Sequence, residues 1–195
     1  MLYYFLKPIA IFLCKILFNI KIEGKQFIPK KGAFILASNH LSYLDPIVLG
    51  VACPRRLNFM ARDDLFSIPV FSSLIRFLGA FPIKRYSADI SSFKEAFKRL
   101  KRGNPIVVFP QGRRVFSDEP YSALPGIGFL AVKSNVSVIP SYIKGTDEAL
   151  PINAKFIRLK PIRVTFGKEI YIERRKPYNY QEVSDQIMEA IRRLK

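Results

Sequence analysis

The sequence predicts a single α/β domain whose largely parallel central sheet is covered by helices and preceded by an N-terminal amphipathic helix. Three observations lead to this fold class. Short, continuously apolar segments recur along the chain, segments with helical spacing separate them, and the 195 residues are 49% hydrophobic. Segments that are apolar on both faces are typical of strands in a covered parallel sheet, and this length suits one domain.

The first element, residues 1–22, has the pattern of an amphipathic helix that binds a membrane. Lys7, Lys15 and Lys21 interrupt every apolar run before the ~20 residues that a membrane span requires. A helical projection puts these lysines on one side and apolar residues, including Phe12, around the rest. There is no small-residue cleavage site of a removable signal. We therefore expect the lysines at anionic headgroups and Phe12 among acyl chains, with packing of the apolar face on protein as the alternative.

Residues 23–195 are predicted to form the second region, a catalytic domain. Short apolar runs give five strand candidates, which are AFILAS (33–38), LNFMA (57–61), GAFPI (79–83), PIVVF (105–109) and VSVIP (136–140). Helical spacing of apolar residues predicts helices at 45–52, 65–78 and 88–101. A late hairpin is predicted from 162–166 and 169–172, followed by a terminal helix with Asn179 and Glu182 in capping-box spacing.

The charge of the chain indicates an anionic partner. Lys and Arg number 32 against 15 Asp and Glu, a formal net charge of +17. Such an excess is typical of proteins that bind nucleic acid, anionic lipid surfaces or phosphorylated substrates. The 17 Phe, 9 Tyr and the positive mean hydropathy of +0.11 favour lipid. Because no nucleic-acid recognition motif is present, we expect no nucleic acid partner.

The few cysteines and histidines exclude two kinds of site. Cys14 and Cys53 are the only cysteines and His40 is the only histidine. A disulfide framework or a zinc site cannot be built from this set. We expect no metal and no cofactor, and both cysteines are expected to be small buried hydrophobic residues in a reducing compartment.

The segment SNHLSYLDP (38–46) is the first candidate for chemistry. It follows a predicted buried strand and precedes a helix, which places it where open α/β sheets have their sites. Four residues separate His40 from Asp45, so a turn would let the carboxylate accept the imidazole N–H and fix its tautomer. The other ring nitrogen would then be free to remove a proton from a hydroxyl group. A hydrogen-bonded structural or capping pair is the alternative.

Three further segments place polar or cationic groups at strand ends: GAFPIKR (79–85), FPQGRR (109–114) and VIPSYIKG (138–145). With SNHLSYLDP, in this order, they resemble the glycerolipid (lysophospholipid) acyltransferase family of the 1-acyl-sn-glycerol-3-phosphate acyltransferase type, over roughly residues 20–170. The family's first motif, N-H-x-S-x-x-D, is complete as NHLSYLD. The resemblance implies that His40 deprotonates the acceptor hydroxyl, that Asp45 orients the imidazole, and that the alkoxide attacks an acyl thioester directly.

The second and third motifs of the family match in part. Arg85 takes the position of the family's phosphate-binding arginine, while Lys84 replaces the common acidic residue. In FPQGRR, Gly112 and Arg114 match the usual F-P-E-G-T-R, Arg113 replaces a small hydroxyl residue, and Gln111 stands where glutamate is expected. The resemblance implies that these six residues bind the substrate, with Gln111 keeping hydrogen-bonding capacity but not charge.

The resemblance implies an enzyme of phospholipid biosynthesis. It would transfer a fatty acyl group from acyl-ACP (the acyl carrier protein thioester) or acyl-CoA to the sn-2 hydroxyl of lysophosphatidate, giving phosphatidate. We expect it to be a monotopic or peripheral protein on anionic lipids at the cytoplasmic face of the cell inner membrane. Two alternatives remain open: another lysophospholipid or a lyso-aminolipid as acceptor, and a non-catalytic basic module that binds membrane or nucleic acid.

Overall fold

The fold is built on one twisted sheet, seen in a computed structural model that describes residues 2–83, 91–116, 122–172 and 177–195. Within these ranges the sheet has seven strands in the order β1-β7-β6-β2-β5-β3-β4. The strands are β1 (Lys21–Glu23), β2 (Ile35–Ser38), β3 (Asn58–Arg62), β4 (Ala80–Ile83), β5 (Ile106–Val108), β6 (Val138–Lys144) and β7 (Arg163–Phe166). All neighbouring pairs are parallel except β6 with β7, which confirms the largely parallel sheet.

Helices cover both faces of this sheet. They are α1 (Leu2–Phe18), α2 (Asp45–Ala52), α3 (Pro69–Phe77), α4 (Ser91–Lys101), α5 (Pro125–Ser134), α6 (Thr146–Ala149) and α7 (Tyr180–Arg192), with 3₁₀ turns at Lys25–Phe27 and Asp63–Ser67. In β2, Leu36 packs in the core under α1 and α2, whereas Ile35 and Ala37 pack in the core under α4, α5 and α7. This alternation follows from the two-residue period of a strand and explains why both faces of β2 are apolar.

Most predicted elements are confirmed, and two are corrected. All five strand candidates form strands, and the helix at 45–52 has the predicted bounds. The helix predicted at 65–78 is a 3₁₀ turn followed by α3, because Pro69 begins a new helix at its first position. The predicted hairpin is wrong: β7 pairs antiparallel with β6, and Ile170 instead bridges to Val138.

The terminal helix α7 begins as the capping box predicts. The Asn179 side chain accepts from the backbone N–H groups of Gln181 and Glu182, and its amide donates to the Glu182 carboxylate. These bonds satisfy amide groups that lack partners in the first turn of a helix. The helix then packs closely on α5, where the Ser184 hydroxyl accepts from the Gly128 amide at 3.0 Å.

The N-terminal helix α1 packs on the protein along one side only. Cys14 and Phe18 are buried in the core beside α2. The opposite side is exposed, with Phe5 at 69%, Phe12 at 63% and Ile16 at 63% of their surface accessible. Only two residues separate the end of α1 from the start of β1. The boundary predicted after residue 22, between the N-terminal helix and the second region, therefore falls inside β1. Among the described residues, no helix has the length and apolar character needed to cross a membrane.

Candidate active site

The candidate site begins where β2 leaves the sheet. Asn39 directly follows β2 and is fully buried. Its amide donates to the Ile143 carbonyl at 2.8 Å and its carbonyl oxygen accepts from the Ile143 N–H at 2.7 Å. These two bonds continue the β2–β6 pairing through a side chain and fix the chain just before His40.

Asp45 is the centre of the turn that follows. One oxygen, Oδ2, accepts from His40 Nδ1 at 2.8 Å, from the Leu41 N–H at 2.7 Å and from the Ser42 N–H at 2.8 Å. The carboxyl group is fully buried, whereas the His40 side chain keeps 15% of its surface accessible. Because a carboxylate only accepts hydrogen bonds, His40 carries its proton on Nδ1, and Nε2 is left with a free lone pair. The predicted pairing of these two residues is present in the fold.

The third motif lies directly against this pair. β5 neighbours β2, and the Phe109 ring that follows β5 stacks on the His40 imidazole with centroids 4.0 Å apart and planes inclined by 15°. The His40 carbonyl also accepts from the Val115 N–H at 3.0 Å. The imidazole is thus held by a carboxylate at one edge and by an aromatic ring on one face.

A tight turn brings Gln111 and Gly112 beside Phe109. The Gly112 N–H donates to the Phe109 carbonyl at 2.9 Å, and Gly112 has a φ of +65°, a conformation that favours glycine. Gln111 is only 5% exposed, and neither polar atom of its side chain has a hydrogen-bond partner among the described residues. A buried amide without partners is costly, so this side chain is poised to bind a polar ligand.

The two arginines of the third motif have different surroundings. The Arg114 guanidinium lies over the Tyr43 ring, 3.4 Å from its centroid, and its Nη1 atom is buried with no hydrogen-bond partner in the part of the chain that the structure describes. Arg113 is exposed. Tyr43 was not identified from the sequence. The available signal was an aromatic residue inside NHLSYLD, and this residue contacts the third motif only when the chain is folded.

Lys84 and Arg85 lie outside the described residues. The strand before them, β4, ends at Ile83. It is separated from β2 by β5 and β3, all parallel, so its carboxyl end lies at the same edge of the sheet as His40. Three strand spacings put the two strands about 14 Å apart.

The four residues assigned to membrane binding divide into two groups. Phe12, Lys15 and Lys21 are exposed. Lys7 lies instead on the side of α1 that packs against the protein, where its ammonium donates to the Cys53 carbonyl at 2.5 Å. Burial is the main cause that lowers the pKa of Lys7. The helical projection grouped Lys7 with the other lysines, but packing removes it from the lipid-facing set.

The described residues contain no group of three or more His, Cys, Asp or Glu side chains that could hold a metal ion. The functional groups that the described part of the site brings together are an imidazole, a carboxylate, an amide and a guanidinium. Those groups suit proton transfer from a hydroxyl next to a bound anion.

Comparison with known proteins identifies the family. The Acyltransferase family model matches residues 19–144. Two relatives named 1-acyl-sn-glycerol-3-phosphate acyltransferase are similar: that of Bacillus subtilis is 30% identical over 65% of this chain and 63% of its own, and that of Streptococcus pneumoniae is 29% identical over 83% and 60%. The chain thus spans less than two thirds of the length of these relatives.

A solved structure has the same fold. It is the 1-acyl-sn-glycerophosphate (LPA) acyltransferase PlsC of Thermotoga maritima, with a TM-score of 0.84 and 23% identity over 98% of this chain and 78% of that one. In chain order, the family match runs from β1 to β6, and it includes both His40 and FPQGRR. The chain belongs to the acyltransferase family.

Proposed function

We propose that this protein transfers a fatty acyl group from an acyl thioester to the sn-2 hydroxyl of lysophosphatidate, giving phosphatidate. The observation that carries the proposal is the hydrogen bond between His40 Nδ1 and the buried Asp45 carboxylate, at 2.8 Å. It leaves Nε2 as a proton acceptor at the edge of the sheet. The names of the relatives support lysophosphatidate as the acceptor.

The proposed reaction needs no covalent acyl-enzyme. His40 Nε2 takes the proton of the acceptor hydroxyl, and the alkoxide oxygen attacks the thioester carbonyl carbon. The Asp45 carboxylate stabilises the imidazolium that forms. When the tetrahedral intermediate collapses, the carbon–sulfur bond breaks and the departing thiolate receives the proton from His40. The products are the new ester and a free thiol, on either acyl carrier protein or coenzyme A.

The acceptor phosphate is assigned to the cationic groups at the same edge. The buried Nη1 of Arg114 has no hydrogen-bond partner among the described residues, which supports this role because that N–H group is available to a phosphate oxygen. Arg85, Lys84 and Arg113 are proposed to add charge, and Gly112 to let the backbone turn close to the anion. In this assignment Gln111 hydrogen-bonds the glycerol part of the acceptor.

A membrane-bound location at the cytoplasmic face of the inner membrane completes the proposal. The exposed apolar side of α1, which includes Phe12, and the exposed Lys15 support docking on anionic lipid. Lys21 is exposed too, but it lies in β1 and not on the helix as the projection predicted. Phe12→Ser with Ile16→Ser removes two exposed side chains of α1 and is expected to weaken partition of the full chain onto anionic vesicles. Unchanged partition of this double variant would contradict the role of α1.

The central test is turnover by the purified full-length chain. It is supplied with lysophosphatidate and labelled acyl-ACP or acyl-CoA, and phosphatidate is measured by thin-layer chromatography. His40→Ala is expected to reduce kcat by ~10²–10⁴-fold, the usual contribution of a general base. Arg193→Ala, at an exposed position directly after α7, is the control. Unchanged turnover by His40→Ala would reject the mechanism, and no turnover by the unsubstituted chain would favour a non-catalytic basic module.

A second acceptor remains a candidate because of Gln111. Its neutral amide, which has no hydrogen-bond partner within the described ranges, replaces the carboxylate usual in the family and changes the hydrogen bonds offered to the headgroup. A panel of purified lysophospholipids and lyso-aminolipids in the same assay separates these possibilities. A higher kcat/KM for another lysolipid than for lysophosphatidate would replace the acceptor and keep the chemistry.

A further inference from the structure

The loop between α6 and β7 exposes an unusual set of side chains. Its residues 155–160 read KFIRLK. Phe156, Ile157 and Leu159 are 82%, 53% and 72% exposed, and Lys155, Arg158 and Lys160 alternate with them on the surface. Exposing three large apolar side chains together in one short loop is unfavourable in water and marks an interaction surface.

Two backbone hydrogen bonds hold this loop, one at its middle and one directly after it. The Arg158 N–H donates to the Ala149 carbonyl at 2.7 Å, at the end of α6. The Ile162 N–H donates to the Phe18 carbonyl at 2.9 Å, at the end of α1. The apolar side chains are therefore presented by a fixed backbone, next to the end of α1.

The loop lies at the same edge of the sheet as His40. Lys144 at the end of β6 pairs with Arg163 at the start of β7, so the loop leaves and re-enters the sheet at the carboxyl end of β6. β2 is parallel to β6, and His40 follows its carboxyl end. The Ser42 hydroxyl donates to the Leu150 carbonyl at 2.7 Å and ties the catalytic turn to the segment from which the loop begins.

We propose that residues 155–160 form a second lipid-binding element, separate from α1. Phe156, Ile157 and Leu159 enter the acyl-chain region of an anionic bilayer, while the three alternating cations contact headgroup phosphates. Charge favours this occupant over a second copy of the chain, since two molecules of net charge +17 repel each other. The proposal rests on the proposed function, because it turns the His40 edge toward the membrane that holds the acceptor.

A single tryptophan tests the insertion directly. The chain has no tryptophan, so Phe156→Trp introduces the only one. On vesicles of phosphatidylcholine and phosphatidylglycerol, its emission is expected to shift to the blue and to be quenched by brominated acyl chains. Tyr171→Trp is the matched control: Tyr171 is 72% exposed but follows Ile170, which pairs with Val138 at the opposite end of β6. Its emission is expected to stay unchanged.

Two results would overturn the proposal. One is an unchanged spectrum of Phe156→Trp while the protein co-sediments with the vesicles, which would leave α1 as the element that binds. The other is a blue shift without lipid that grows with protein concentration, which would indicate self-association.

A second pair of variants measures the contribution to binding. Phe156→Ser with Leu159→Ser is expected to weaken partition onto the same vesicles by at least about tenfold, since each large apolar side chain carries a substantial transfer free energy. Tyr171→Ser removes a side chain that is 72% exposed at the opposite end of β6, and it is expected to leave partition unchanged. Equal partition of the double variant and of Tyr171→Ser would also overturn the proposal.

A failure of the proposed function can be distinguished from a failure of the lipid-binding proposal. Turnover of lysophosphatidate by the unsubstituted chain is measured separately from these partition and fluorescence experiments. Absence of turnover together with insertion of the introduced tryptophan would reject the enzyme assignment and support the loop as a lipid-binding element.

Discussion

The guanidinium carbon of Arg114 lies over the ring of Tyr43, 3.4 Å from the ring centroid. Tyr43 belongs to the turn between His40 and Asp45, whereas Arg114 follows β5 in the third motif. The contact therefore joins the proposed general base to the proposed anion-binding group. A cation held over an aromatic face keeps its N–H groups at the rim, available to a phosphate.

Removing the aromatic ring beneath Arg114 is expected to weaken acceptor binding more than catalysis. Tyr43→Leu should raise the KM for lysophosphatidate about 3- to 30-fold with a small change in kcat, as expected from the strength of cation–π contacts. Tyr43→Phe keeps the ring face and should behave like the unsubstituted enzyme. Steady-state kinetics of both variants test this, and equal KM values for Leu and Phe at position 43 would contradict it.

Neutralising Asp45 is expected to reduce kcat while the fold persists. In Asp45→Asn the amide oxygen can still accept from the backbone N–H groups of Leu41 and Ser42, but no negative charge remains to stabilise the imidazolium. The expected loss in kcat is ~10²–10⁴-fold. Circular dichroism provides the control for folding, and a folded variant with unchanged kcat would show that the carboxylate has no part in proton transfer.

Replacing Gln111 by an apolar residue is expected to raise stability and to lower activity. The two buried polar atoms of Gln111 have no hydrogen-bond partner among the residues that the structure describes, so Gln111→Met is expected to raise the free energy of unfolding by about 1–3 kcal/mol. The same change should lower kcat/KM for the acceptor. Urea denaturation and kinetics measure the two effects, and a loss of stability would mean that the amide is satisfied in the native protein.

The two cysteines are expected to be unreactive in the folded protein. Cys14 and Cys53 are both buried, and burial is the main cause that raises the pKa of each thiol. Because the thiolate is the reactive form, a raised pKa lowers its fraction at any pH below that pKa. Ellman's reagent should label the native chain at pH 8 far more slowly than the chain in urea. Rapid labelling of the native protein would indicate that these thiols are accessible.

The sequence predicted the local part of the site well. The spacing of His40 and Asp45 was enough to predict their hydrogen bond, because the turn that joins them closes within a few residues. The strand candidates were recognised because both faces of the sheet are covered, which gives continuous apolar runs.

Contacts between distant segments were beyond the sequence pattern. The stacking of Phe109 on His40 and the contact of Arg114 with Tyr43 depend on β5 lying next to β2, an order that no local pattern encodes. The predicted hairpin is wrong because the pairing of 162–166 with 169–172 was predicted from their adjacency along the chain. In the folded protein β7 pairs instead with β6.

The amphipathic pattern of residues 1–22 determined by itself that α1 would have an apolar side and a cationic side. Tertiary packing selects the side of α1 that contacts α2, and it places the half-buried Lys7 against the Cys53 carbonyl while Phe12 and Ile16 stay exposed. The physical reason is that helix periodicity is set by local backbone geometry, whereas the choice of the packed side depends on shape and on hydrogen-bond partners, such as the Cys53 carbonyl, that distant parts of the chain supply.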